Sequence, residues 1–284
     1  MIIKKLIAKL KPLVPKKLKP FLLLMPPFNY STPYINSIPK FEQFNVSDYF
    51  LFRRDEYETV FIAENNLALT LASPVECKHV FYFFDAHGVL CGSHKIVDSG
   101  YHLRLNIDNS MVGDIKIGGF IHQTWYKKLF TDELNSVSQR PLIFQHRGYT
   151  GFRKKNNPSS IFSFLHGNFG ALYIDKHAKR SSLARLATVH NYTPQYILKP
   201  TSMYEFYFLN PVNKDMEIII ELKDDRSNII HKHATTIKAF SHYRFEISGS
   251  PIDGECNITW KSSLPICRAI VFEATGNRFD VFHS

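Results

Sequence analysis

The chain has 284 residues, 44% of them hydrophobic and 21% charged, which is enough apolar material for one large folded body or two ordinary ones and excludes a disordered chain. Phe and Tyr number 24 and 14 against 13 Gly, an aromatic load that suits half-buried strands better than helices. The net charge of +10 asks for an anionic partner, but it is uneven: residues 1–41 carry +8, residues 141–190 carry +7, and the remainder carries −5.

Residues 1–41 read as a basic N-terminal helix and linker. Ile3, Leu6, Ile7 and Leu10 recur at helical spacing, with Lys4, Lys5, Lys9 and Lys11 on the opposite arc and Lys16 and Lys17 following. Pro12, Pro15 and Pro20 interrupt continuation, and the apolar run Phe21–Met25 is far shorter than the roughly 20 residues a spanning helix needs. A signal peptide fits poorly, because charges persist to Lys19. The six lysines named are candidate contacts to an anionic membrane surface, each worth about 1 kcal/mol near such a surface. The expected location is cytoplasmic and peripheral at the inner membrane face; the plain alternative is a solvated arm.

Residues 42–140 and 191–284 read as two related antiparallel β-sandwich units. In the first, Val80-Phe81-Tyr82-Phe83-Phe84 leads to the turn Asp85-Ala86-His87-Gly88, a return through Cys91 and His94, and Tyr101–Leu105. In the second, Ile218–Leu222 leads to Asp224-Asp225-Arg226-Ser227, a return through Ile230 and His233, and Tyr243–Ile247. Looser matches set Tyr57–Ile62 against Tyr192–Ile197 and Ile115–Ile117 against Ile258–Trp260. Short alternating strands separated by turn clusters are the pattern of an all-β sandwich, and their collinearity suggests an internal duplication.

Residues 141–190 read as a basic, loop-rich connector with a short helix over 181–189. His146-Arg147-Gly148-Tyr149 and His166-Gly167-Asn168 place polar side chains beside glycine turns. Arg offers a planar fork for carboxylate or phosphate, Asn donates and accepts, and Tyr adds a flat face with a polar tip. His122, His146, Arg147, Tyr149, Arg153, Lys154, His166 and Asn168 are therefore the candidate ligand-binding residues, suited to a sugar bearing an anionic group. The bland alternative is that Arg147 ties the two units together and the histidines satisfy loop backbone. Arg153-Lys154-Lys155 beside Tyr149 and Phe152 could serve a single-stranded nucleic acid, but no recognised motif accompanies them and nucleic acid is disfavoured.

No nucleophile elbow, phosphate loop, dinucleotide fingerprint or zinc-protease motif occurs in the chain, so no cofactor is expected. Cys77, Cys91, Cys256 and Cys267 form no C-x-x-C pair, and no metal site is expected although His231 and His233 share one strand face. A Cys256–Cys267 hairpin disulfide is a minor option, free thiols the major one.

The strings Ser47–Arg53, His146–Phe152 and Leu165–Asn168 resemble uncharacterised bacterial proteins associated with surface-polysaccharide genes. The unit around Asn210-Pro211 is similar in pattern to small β-sandwich proteins related to sensory rhodopsin transducers, a likeness of fold alone. Together these readings point to a non-catalytic or accessory protein binding an anionic saccharide, nucleotide sugar or lipid-linked glycan in cell-envelope polysaccharide assembly. The alternatives are a saccharide-modifying enzyme with His146 or His166 as general base, and a structural module that oligomerises through an open sheet edge.

Overall fold

Alternation decides which residues face inward. In a computed structural model, which describes residues 44–126, 148–157, 161–167, 171–174, 191–194, 196–211, 214–247, 254–263, 268–276 and 278–284, the regular structure of the described residues is almost entirely β. The basic tail, the 181–189 helix, His146, Arg147, Asn168 and Cys267 lie outside the described residues. No helix among the described residues is long and apolar enough to cross a membrane.

The first unit contains β1 (Phe44–Arg53), β2 (Tyr57–Glu64), β3 (Cys77–Phe84), β4 (Leu90–Asp98), β5 (His102–Asn106), β6 (Ile117–Tyr126), β7 (Tyr149–Lys154), β8 (Ser163–His166) and β9 (Ala171–Ile174). Among the described residues, two short helices, α1 (Asn66–Leu71) and α2 (Asn109–Val112), interrupt them. The second unit contains β10 (Asn191–Tyr192), β11 (Met203–Leu209), β12 (Met216–Lys223), β13 (Ile229–Ile237), β14 (His242–Ile247), β15 (Asn257–Ser262), β16 (Ile270–Thr275) and β17 (Arg278–His283).

Sheet I has the order β4-β3-β6-β1-β9 and sheet II β5-β2-β7-β8; sheet III has β13-β12-β15-β10 and sheet IV β14-β11-β16-β17. Among the described residues, adding nine to each label of β1–β8 turns every pairing of the first unit into one of the second, all antiparallel, with β9 the single addition. The hairpins repeat in detail. Each of β3 and β12 has an irregularity one residue from its end, after Phe83 and after Leu222. The turn aspartate accepts from the backbone four residues on, Asp85 from Val89 N at 2.9 Å and Asp224 from Asn228 N at 2.7 Å. Gly88 (φ 80°) and Ser227 (φ 66°) take the left-handed position. One match needs correction: β2, which begins at Tyr57, corresponds to β11 and not to the segment at Tyr192, which is β10 and corresponds to β1. A Tyr before an apolar run was too cheap a signal to fix register.

Within 141–190, β7 and β8 close sheet II and β9 extends sheet I. In β7, Thr150 and Phe152 are buried while Tyr149 and Arg153 are half-buried, an alternation only two cycles long and broken by Gly151.

Three apolar clusters stand out among the described residues. Sheets I and II enclose Phe50, Phe52, Phe61, Phe81, Phe83 and Phe120. Sheets III and IV enclose Phe206, Phe208, Ile220, Ile258, Trp260 and Val271. The third joins the units: Tyr49, Leu51 and Ile121 from the outer face of sheet I, with Tyr57 and Phe152 from the end of sheet II, meet Tyr207, Leu209, Ile270, Phe272 and Val281 from the outer face of sheet IV. Strand β6 therefore has both faces covered and is buried along nearly its whole length.

This seam also holds charge. Arg53 is 1% exposed; it pairs with Asp55 at 2.6 Å and with Glu205, and its guanidinium carbon lies 4.2 Å from the Tyr57 ring centre and 4.5 Å from that of Phe272. Glu205 also takes Arg244, which pairs with Glu246. Burial alone would lower the Arg53 pKa, but the hydrogen bond to Asp55 and the neighbouring negative groups hold it above its ordinary value. Tyr49 donates to the carbonyl of Phe240 at 2.7 Å, and a methyl on Gly119 would stand 2.0 Å from that hydroxyl oxygen. Glycine is required there for the tyrosine to cross its neighbour strand and reach the second unit.

Candidate functional site

Sheet II turns Tyr57, Thr59, Phe61 and Ala63 of β2 inward, so Glu58, Val60, Ile62 and Glu64 face out. Register adds Arg104 opposite Ile62 and Asn106 opposite Val60 from β5, and Tyr149, Gly151 and Arg153 from β7. From β8, Phe164 lies opposite Gly151 and His166 opposite Tyr149. A methyl on Gly151 would meet the Phe164 ring at 2.5 Å and Val60 at 2.8 Å, so the glycine lets Phe164 lie over the strand. Phe164 itself remains 44% exposed.

At one end of this face lies a cavity of about 480 Å³, within the range of small-ligand sites. Arg54, Arg104, Arg153 and Lys155 line it against Glu58 and Asp108, with Phe162 on one wall. Four cations thus face two carboxylates. Arg153 reaches across to Glu58, its Nε donating at 3.1 Å, and lies with its guanidinium carbon 4.7 Å from the Phe162 ring centre. Arg104 lies 5.9 Å from the same ring and has no ion-pair partner among the described residues. Arg54 donates to the carbonyls of Gly113 and Ile115 at 2.8 and 3.1 Å. Lys155 Nζ donates to those of Arg54 and Asp55 at 2.6 and 3.0 Å. Asp108 is occupied as the cap of α2, accepting from Ser110 Oγ at 2.6 Å and Ser110 N at 2.9 Å, and the Ser110 hydrogen bond holds its pKa below the usual carboxylate value. The cavity therefore brings two guanidinium groups near one aromatic ring, Arg153 paired with Glu58 and Arg104 without an ion-pair partner among the described residues, while Arg54 and Lys155 are tied to backbone carbonyls.

The anticipated residues divide. Tyr149, Arg153 and His166 share the outward face; only Arg153 lines the cavity. Tyr149 has its hydroxyl pKa raised, first by burial and then by Glu64. His166 stands at the far end beside His283, ring centres 5.0 Å apart, with its carbonyl accepting from His283 Nε2 at 2.9 Å. Lys154 lies opposite Tyr57 on the other side of the strand. His122 is not on this face. As an inward residue of β6 it is fully buried between the sheets, stacked on His79 with Nε2 3.0 Å from His79 Nδ1. His79 Nε2 in turn lies 3.3 Å from Cys77 Sγ. Burial lowers the His79 pKa to about 4 and pushes the Cys77 thiol up to about 12, so these two groups are held neutral in the core.

His231 and His233 stack on Phe245 and Tyr243, and His233 Nε2 lies 2.6 Å from the Tyr243 hydroxyl. Among the described residues no three His, Cys, Asp or Glu groups are placed to hold a metal. Cys77, Cys91 and Cys256 are free thiols. Residues missed from sequence are Arg54, Arg104 and Phe162. The signal for the last two was alternation: in His102–Asn106 and Phe162–His166 every second residue faces out.

No family model and no curated protein matches the chain. Among solved structures, a β-glucuronidase from glycoside hydrolase family 2 aligns with 90% of this chain and 25% of its own length, at 10% identity and a TM-score of 0.16. The chain spans about a quarter of that enzyme's length, and a likeness this slight bears on neither fold nor function.

Proposed function

We propose that the protein binds an anionic saccharide, carried as a glycan, nucleotide sugar or lipid-linked chain in envelope polysaccharide assembly, and acts as a binding or accessory protein. The observation that carries this is the pair Arg104 and Arg153, with guanidinium carbons 5.9 and 4.7 Å from the Phe162 ring centre in the sheet II cavity. Guanidinium groups recognise carboxylate or phosphate through paired donors, and an aromatic ring accepts the apolar face of a sugar. Of the two candidate general bases, His166 does not line this cavity and His146 lies outside the described residues.

Calorimetric titration with galacturonate and with galactose, its neutral counterpart, tests the proposal. Galacturonate should bind at least tenfold more tightly, and Arg104→Ala should weaken it by about ten- to a hundredfold, the loss of one charge-assisted contact of about 1.5–3 kcal/mol. Equal affinity for the two sugars, or an unchanged Arg104→Ala variant, would contradict it. The lysine-rich tail supports a second element, contact with an anionic membrane. Phosphatidylglycerol vesicles should sediment the full chain and leave a chain lacking residues 1–27 in solution; equal sedimentation would remove that element.

A further inference from the structure

A second cavity, of about 720 Å³, lies between the units. Its walls carry Asn157 and Ser163 from the first unit and Thr201, Ser202 and Thr275 from the second, with Lys199 and Arg278 facing Glu273 and Asp280. Its formal charges balance, unlike those of the sheet II cavity. Its hydrogen-bonding groups are already oriented: Ser202 Oγ donates to Glu273 Oε1 at 2.9 Å and lies 2.5 Å from Thr275 Oγ1, and Tyr204 donates to the same carboxylate oxygen at 3.1 Å. Ser163 Oγ reaches Asp280 across the seam at 3.4 Å.

The two cavities share a wall. Strand β8 is the edge of sheet II, and around its start Phe162 lines the cationic cavity while Ile161 and Ser163 line the other. Tyr57 of the first cavity and Phe279 of the second have ring centres 5.0 Å apart. On the crest stands Ile161, 83% exposed, the most exposed large apolar side chain among the described residues.

We infer that the two cavities are adjoining subsites for one chain, and that the ligand is an acidic heteroglycan in which an anionic sugar is joined to a neutral one. The reading rests on the proposed anionic-saccharide site. The guanidinium pair takes the charged residue, the chain crosses the apolar crest at Ile161, and the charge-balanced, hydroxyl-rich cavity takes the neutral residue through hydrogen bonds. Linking two weak sites through one ligand raises affinity without adding any contact at the first.

The test is calorimetric titration of the full chain with galacturonate monomer, galacturonate oligomers, hyaluronan tetra- and hexasaccharides and neutral chito-oligosaccharides. Hyaluronan alternates acidic and neutral residues. Its tetrasaccharide should bind at least tenfold more tightly than galacturonate monomer, with a smaller gain for all-acidic oligomers of equal length. The double variant Lys199→Ala, Thr201→Ala, altered only at exposed positions of the second cavity, should lose that gain and keep wild-type affinity for the monomer. Arg104→Ala should lose both. A hyaluronan gain of less than threefold, or one that survives the double variant, overturns the shared-chain inference and leaves the sheet II site standing. Monomer binding unaffected by Arg104→Ala, or no binding by any acidic sugar, overturns the site itself and this inference with it.

Discussion

Sheet II of the first unit and sheet IV of the second have the same strand order and opposite fates. The outward side of sheet IV carries Tyr207, Leu209, Ile270, Phe272 and Val281 and is buried against the first unit. The corresponding side of sheet II carries Arg104, Arg153, Phe162 and Phe164 and holds a cavity. The equivalent strands β2 and β11 each contribute a glutamate paired with arginine. Glu205 is 6% exposed within the seam, whereas the side chains of Glu58 and Arg153 are 44% and 39% exposed. One topology thus supplies either a buried docking face or an open cationic face, and the outward residues of alternating strands decide which.

The sharpest way to break this contrast is to remove the same charge from both faces. Glu205→Gln leaves Arg53 buried without its main cross-unit partner and should cost about 3–5 kcal/mol in urea unfolding. A loss below about 1 kcal/mol would mean that the seam does not depend on the ion network.

The hairpin turns give the next comparison. A methyl on Gly88 would stand 1.9 Å from the carbonyl oxygen of Ala239 in the other unit, and the residue has positive φ as well. Gly88→Ala should cost about 3 kcal/mol from clash and backbone strain together. Ser227 occupies the same turn position in an exposed setting, so Ser227→Gly should stabilise by about 1 kcal/mol. Thermal unfolding of both variants checks the pair; similar effects of the same sign would erase the distinction between the turns.

The cores differ as well. Counting back from the irregularity near the strand end, His79 of β3 takes the place of Ile218 in β12. Burial holds His79 neutral, with a pKa of about 4 against an ordinary 6.5, while in the unfolded chain it gains a proton below 6.5. Stability from this group is therefore present above pH 6.5 and is lost as pH falls toward 4, by about 2 kcal/mol at pH 5. His242 and His283, near the seam, are lowered to about 4 by burial and add to the same trend. Urea midpoints between pH 7 and pH 5 should fall, and less so in His79→Leu; an equal slope in that variant would assign the pH dependence elsewhere.

Much of this architecture is legible in the sequence. The two hairpins, their aspartate turns and the all-β class follow from alternation between Val80 and Leu105 and between Ile218 and Ile247. The seam was not legible, because the cross-unit partner of Arg53 is 152 residues away at Glu205 and no local pattern marks a strand whose two faces are both covered. The site was legible in part. Arg153 stood out by charge, but Arg104 and Phe162 are single residues in ordinary strands, and only register across β5, β2, β7 and β8 brings them together. His122 sits in the core by its parity in Phe120-Ile121-His122-Gln123-Thr124, where the odd numbers face the seam and the even numbers the core.

The smallest change in stability gives the most direct test. Glu58→Gln should cost less than about 1 kcal/mol of stability, as expected for a half-exposed ion pair. In the cationic cavity, however, it removes the carboxylate that occupies Arg153 and frees that guanidinium for a ligand. Galacturonate affinity measured calorimetrically at low salt should therefore rise by about threefold to tenfold, the effect of one nearby charge at the protein surface. An affinity that falls, or does not change, would contradict the assignment of this face as an anion-recognition site.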